Sequence, residues 1–178
     1  MRQRTLLVSL VIGVAALVAA TAALASSNLT TTATITGTAG ISLSMPSNPG
    51  VSTTLDGTDQ TLSYSPVLGV VDARGTGAGW NLTVSATALT DGASHNLAQN
   101  LTAVSSACHS GSTCTNATNS VNTYPISLST TATKFFNSAT NAGMGKVDVT
   151  PTVQVPVPGN AFAGTYTSTL TIASVSGP

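Results

Sequence analysis

Strict alternation of apolar and small polar residues is the pattern that most constrains this chain. In "WNLTVSA", Trp80, Leu82 and Val84 alternate with polar residues, and the stretches 146–157 and 164–175 alternate in the same way. Because successive side chains of a β-strand point to opposite faces, these stretches are predicted to be half-buried strands. The abundant Thr, Ser, Val and Gly are poor residues for helix interiors. The sequence therefore predicts an all-β protein.

Segments rich in Gly, Pro, Asn and Asp separate the alternating stretches, among them "PSNPG", "TDGASHN" and "PVPGNAFAG". Short strands separated by such turns are typical of antiparallel two-sheet proteins. We therefore expect an antiparallel β-sandwich of the immunoglobulin-like or jelly-roll-like type. Residues 99–122, rich in Ser, Thr and Asn, are predicted to form a long loop or insertion that could include one short strand at "NLTAVSSA".

The N-terminus has the pattern of a secretory signal peptide. Arg2 and Arg4 precede an apolar stretch, and the small-residue cleavage site "ALA" ends at Ala25. An uncleaved membrane anchor is the alternative, because the apolar stretch approaches the length of a membrane span. No second apolar stretch of that length follows in the sequence. We expect a signal peptide at 1–25, removed on export, and one secreted β-sandwich domain at 26–178 without a membrane span.

The charge of the chain narrows the classes of partner and of chemistry. The whole sequence has five Lys and Arg residues against five acidic residues, and every acidic residue is Asp. A chain this weakly basic cannot neutralise a phosphate backbone, so nucleic acid is excluded as a partner. With no Glu and two His, the supply of catalytic acids and bases is small. We predict a protein that is not an enzyme and has no catalytic residues. A secreted hydrolase remains an alternative, because Ser, His and Asp are all present.

Two cysteines lie close together in "CHSGSTC". In an exported chain, an even number of closely spaced cysteines predicts a disulfide, here between Cys108 and Cys114. A metal site that includes His109 is the alternative, but two thiolates and one imidazole lack the fourth ligand of a structural zinc site. Free thiols are the remaining possibility. We expect the disulfide, and neither a metal nor a cofactor.

The only tryptophan, Trp80, follows three alternate glycines in "RGTGAGW". A single Trp in a β-sandwich is commonly a core anchor. The alternative is an exposed aromatic platform for a sugar or peptide polymer, because Trp offers a large contact area at low entropic cost. The glycines leave room beside the ring. We therefore expect an indole that is mostly buried at one end of the sandwich, with one edge reachable from solvent.

The segment "VVDARGTGAGWNLTVSA" resembles the first signature of the WxL-domain bacterial cell-surface proteins, a Trp-x-Leu after a Gly-rich lead-in. Trp80 and Leu82 carry this match. The second signature of that family resembles residues 164–178. Four residues stand at the spacing of that second signature: Tyr166, Leu170, Thr171 and Pro178. Ile172 and Ser174 stand where the family has its second Trp-x-Leu, so the chain is identified as a divergent member that has lost this motif.

The resemblance implies a secreted β-rich domain held non-covalently on the bacterial cell wall, with peptidoglycan as the ligand. It implies Trp80 and Leu82 as wall-binding residues, and a cell-wall polymer or other surface proteins as partners. The loss of the second Trp-x-Leu implies weaker binding than in a protein with both motifs. A structural subunit of an extracellular fibre or matrix is the alternative function, because Thr-rich strands of low charge could pair edge to edge.

Overall fold

Eleven strands run through residues 31–178, the part of the chain that the computed structural model describes. They are β1 (Ile41–Ser44), β2 (Gln60–Tyr64), β3 (Leu68–Asp72), β4 (Trp80–Ala86), β5 (Leu89–Thr90), β6 (Asn96–Leu97), β7 (Asn100–Cys108), β8 (Ile126–Ser127), β9 (Thr133–Ser138), β10 (Gly145–Val157) and β11 (Leu170–Ser176). Nowhere in residues 31–178 does a helix occur that is long and apolar enough to cross a membrane. The predicted signal peptide lies outside the described residues.

The strands form two antiparallel sheets and a short hairpin. The larger sheet has the order β1-β3-β10-β7-β8, and β2 also pairs with β10. The smaller sheet has the order β11-β4-β9, while β5 and β6 form a hairpin that an isolated bridge joins to Thr167. The 13-residue β10 organises the larger sheet, because β2, β3 and β7 all pair with it. The prediction of an all-β protein with antiparallel sheets is confirmed.

The core lies between the inner faces of the two sheets. Alternate residues of β4 are buried, as the sequence pattern predicts. They meet alternate residues of β3 and β10 from the opposite sheet. The buried cluster consists of Leu68, Val70, Trp80, Leu82, Val84, Leu101, Phe135, Phe136, Val147 and Val149. Since both sheets contribute to one cluster, the architecture is that of a β-sandwich, and most Thr and Ser residues of its strands remain at least partly exposed.

The strand that the sequence allowed at "NLTAVSSA", within the predicted loop at residues 99–122, is present and is one residue longer. β7 occupies Asn100–Cys108 and pairs with β10, from Asn100 opposite Gln154 to Cys108 opposite Val147. Leu101 is its one buried residue, so the sequence pattern alone gives little sign of a strand this long. The backbone of β10 supplies the hydrogen bonds that make this segment a strand, and that partner lies about fifty residues away in sequence.

The predicted disulfide between Cys108 and Cys114 is confirmed, with a Cα–Cα distance of 5.6 Å. It closes a loop at the end of β7, and backbone hydrogen bonds tie this loop to the start of β10. The amide of His109 donates to the Lys146 carbonyl at 3.0 Å, and the amide of Thr115 donates to the Met144 carbonyl at 2.9 Å. The disulfide therefore fixes a loop that the sheet already holds on both sides.

Replacing both cysteines with serine is expected to lower the free energy of unfolding by about 2 kcal/mol, since the closed loop is short and its closure entropy is modest. Urea denaturation measures this change, and Ser110→Ala in the same loop is the control that should leave stability unchanged. Intact mass before and after alkylation, with and without reduction, tests the bond itself. Two free thiols in the native protein would contradict the assignment.

Candidate functional site

Trp80, the first residue of β4, is fully buried, with 0% of its surface exposed. Its indole Nε1–H donates a hydrogen bond to the Gly143 carbonyl at 3.0 Å. The ring packs against Phe136, with ring centroids 5.6 Å apart. The expectation of an edge reachable from solvent is therefore wrong. The ring is covered by the turn between β9 and β10, where a Cβ on Gly143 would lie 2.7 Å from Nε1.

The glycines of the lead-in turn the backbone tightly into β4 but leave no open space beside the Trp80 ring. Gly79 has a φ of +71°, in the left-handed region that side chains rarely adopt, and a Cβ there would lie 2.5 Å from the Ser138 carbonyl oxygen. The Gly77 carbonyl accepts a hydrogen bond from the Asn141 amide at 2.7 Å. These glycines therefore let two loops pack backbone against backbone at the end of the sandwich. The space beside the Trp80 ring is filled and is not a cleft.

Leu82, the second predicted binding residue, is also completely buried, and it lies on the same face of β4 as Trp80. The register of β4 with β11 places Leu82 opposite Ser174 and Val84 opposite Ile172. The two signature segments are thus neighbouring strands of one sheet. Ile172 still packs against the core, so the position of the second Trp keeps an apolar contact here.

An ion pair joins the Gly-rich loop to the ends of both signature strands. Asp72, at the end of β3, is 2% exposed, and Arg74 donates to both of its carboxylate oxygens at 2.9 and 2.8 Å. The same guanidinium donates to the Gly79 carbonyl at 2.7 Å and to the Ser176 hydroxyl at 2.5 Å. The hydrogen bonds from Arg74 lower the pKa of Asp72 below its usual range. This pair ties the turn before Trp80 to the end of β11.

Two histidine–aspartate pairs lie elsewhere on the surface. His95 Nδ1 is 2.6 Å from Asp91, and His109 Nδ1 is 2.9 Å from Asp148. Within residues 31–178 neither imidazole is hydrogen-bonded to a Ser or Thr hydroxyl, so no nucleophile and base are paired there. In the same part of the chain, no three residues of the His, Cys, Asp and Glu types come together as metal ligands.

One exposed aromatic residue was missed by the sequence reasoning. Phe162, between β10 and β11, has 62% of its surface exposed and stacks on the imidazole of His95, with ring centroids 3.8 Å apart. Its sequence signal is a single aromatic residue within the turn segment "PVPGNAFAG". A turn segment without alternation does not indicate which way a side chain points, and the stacking partner lies on a distant hairpin.

Acid unfolding tests the role of the buried pair. Because the pKa of Asp72 is lower in the folded than in the unfolded protein, its ionised form contributes stability above the unfolded value of about 3.9, and this contribution is lost as the pH falls below it. Asp72→Asn should therefore flatten the dependence of the unfolding free energy on pH below about 4. It should also cost about 3 kcal/mol at neutral pH, because Arg74 is left buried without its counter-ion.

The measurement is a series of urea denaturation curves from pH 2 to 7. Arg74→Met is the matched variant, since it removes the group that lowers the pKa of Asp72 and should flatten the same part of the curve. A wild-type acid slope retained in Asp72→Asn would contradict the assignment.

A comparison with the curated proteins gives no match. A family model described as "WxL domain surface cell wall-binding" matches residues 32–173. The matched residues include all of β4, with Trp80 and Leu82, all of β10 and the first part of β11. The resemblance read from "RGTGAGW" and from the C-terminal spacing is confirmed by this match over most of the chain. The chain belongs to the WxL family of surface cell-wall-binding domains.

Proposed function

We propose that this protein is a non-catalytic module retained non-covalently at the bacterial cell surface, where it binds peptidoglycan or a neighbouring surface protein. The observation that carries the proposal is the family match over residues 32–173, which includes an intact first Trp-x-Leu. The predicted signal peptide at 1–25 would direct export of the chain, and its removal would release the domain at 26–178 outside the cell. A surface of Thr, Ser and Asn with few charges suits an uncharged polymer rather than an ionic partner.

In this proposal Trp80 and Leu82 act on wall binding as positioning residues. Both are completely buried, so a polymer could reach them only if the two sheets separated. They fix β4 against β9 and β11, and the outward residues of those strands form the solvent face of the smaller sheet. A substitution at either residue would thus change binding only by changing the fold. Wall contact itself belongs to exposed side chains.

Co-sedimentation with purified bacterial cell walls tests this proposal. The wild-type protein is expected to pellet with walls and to stay in solution without them. Trp80→Ala should lose about 3–5 kcal/mol of stability, because it leaves a large cavity between the sheets, and should lose binding only to the extent that it unfolds. Leu82→Met conserves side-chain volume, should cost less than about 1.5 kcal/mol, and should bind as the wild type does.

The folded fraction of each variant, measured by circular dichroism under the conditions of the assay, separates the outcomes. A folded Leu82→Met protein that no longer pellets with walls would contradict the positioning role. A folded wild-type protein that stays in solution with walls would contradict wall binding. Protein that pellets without walls and forms filaments in electron micrographs would favour the alternative function, a subunit of an extracellular fibre.

A further inference from the structure

The one exposed aromatic ring of this protein lies far from the Trp-x-Leu signature. The chain has seven aromatic residues, all within residues 31–178. Six are buried or half-buried: Tyr64, Trp80, Tyr124, Phe135, Phe136 and Tyr166. Phe162 alone is exposed, with 62% of its surface open to solvent. A single exposed apolar side chain is common on protein surfaces, so its significance depends on how the ring is held.

The Phe162 ring is held by one stacking contact, and the backbone of the same residue is held by a hydrogen bond. One face stacks on the His95 imidazole, with centroids 3.8 Å apart and planes within 12° of parallel. His95 is fixed by Asp91, whose carboxylate also accepts backbone amides at 2.8 and 3.2 Å. The Phe162 carbonyl accepts a hydrogen bond from the Tyr166 hydroxyl at 3.0 Å. Because the ring is already oriented, a ligand that stacks on its free face pays little to order it.

A shallow groove of hydroxyl groups lies along the two segments that also carry Asp91 and Tyr166. Thr90 pairs with Thr167 through two backbone hydrogen bonds, so the groove adjoins Asp91 on one segment and Tyr166 on the other. Its lining residues are Thr87, Ala88, Thr90, Thr167, Ser168 and Thr169. The Thr87 and Thr90 hydroxyl oxygens accept backbone amides at 2.9 and 3.1 Å, which leaves their O–H groups free to donate to a ligand.

We infer that Phe162 and this groove form a saccharide-binding site that takes a neutral pyranose of the wall glycan, such as an N-acetylated amino sugar. A pyranose has an apolar C–H face, which suits the electron-rich face of the Phe162 ring, and a rim of hydroxyls, which suits the threonine hydroxyls. The Asp91 carboxylate already accepts two backbone amides and contacts the His95 ring, and no Lys or Arg lines the groove to attract an anionic ligand. The inference rests on the proposed wall binding and names the group that would make the contact.

The site is separate from the buried signature. The groove residue Thr87 directly follows Ala86, the last residue of β4, whereas Trp80 is the first residue of that strand. Six residues of extended chain span about 20 Å. A change at Phe162 therefore leaves the core and the Gly-rich loop untouched, and its effect on binding can be measured without loss of the fold.

A titration with the β-1,4-linked tetramer of N-acetylglucosamine, followed by nuclear magnetic resonance, tests the inference. In the wild-type protein the largest shifts are expected at Phe162, His95 and Thr167. Phe162→Ala should weaken binding about tenfold, the loss typical of an aromatic ring that stacks on a flat ligand. Phe162→Trp should bind at least as tightly as wild type. Val67→Ala removes another exposed apolar side chain and is the control that should leave affinity unchanged.

Two results would overturn the inference: wild-type affinity in a folded Phe162→Ala protein, or no shift at these residues at saturating tetramer. The cell-wall pelleting assay then separates this inference from the proposed function. Walls that pellet wild type and Phe162→Ala equally contradict the site while supporting wall binding. Tetramer binding through Phe162 in a protein that does not pellet with walls supports the site and contradicts retention at the wall.

Discussion

The burial of one indole ring between two sheets organises this protein. Trp80 begins the central strand of the smaller sheet, packs on Phe136, and uses its one polar atom to bind the Gly143 carbonyl 63 residues away. A buried N–H without a partner is costly, so the turn between β9 and β10 must lie where it can supply that carbonyl. The Gly-rich loop must in turn lie close to this turn, and Gly79 permits that approach. The segment "RGTGAGW" thus forms a loop that packs on the turn between β9 and β10 and helps to cover one end of the sandwich.

The buried Trp-x-Leu residues are therefore distinct from the exposed residues that a ligand can reach. Trp80 and Leu82, the residues of the first Trp-x-Leu, are inside, and the residues available to a polymer are outside. Ile172, which stands where the family has its second Trp, keeps a contact with the core next to Val84. The ion pair of Asp72 and Arg74 adds a second tie between the same strands. In the proposed function, the buried pair of the first Trp-x-Leu and the residues that contact a ligand are therefore different residues.

The sequence predicted those features that depend on local periodicity. Alternation predicted β4, β10 and β11 and the inward face of each, and the spacing of Cys108 and Cys114 predicted their disulfide. Features that depend on a distant partner were missed or, like the strand in residues 99–122, expected only as a short part of a loop. β7 is a strand because β10 lies beside it, and Trp80 is covered because residues near Gly143 fold over it. Phe162 could not be singled out either, since its stacking on His95 joins two turns that are separate in sequence.

Quenching of tryptophan fluorescence tests the central claim most directly, because Trp80 is the only tryptophan in the chain. Acrylamide is a neutral quencher, so the result depends on access to the ring and not on the charge around it. The account predicts a blue-shifted emission that acrylamide barely quenches in the native protein, and full quenching once the protein is unfolded in urea. A red-shifted emission in the native protein, quenched as readily as that of a free tryptophan derivative, would contradict the buried anchor and would make Trp80 itself a surface available for binding.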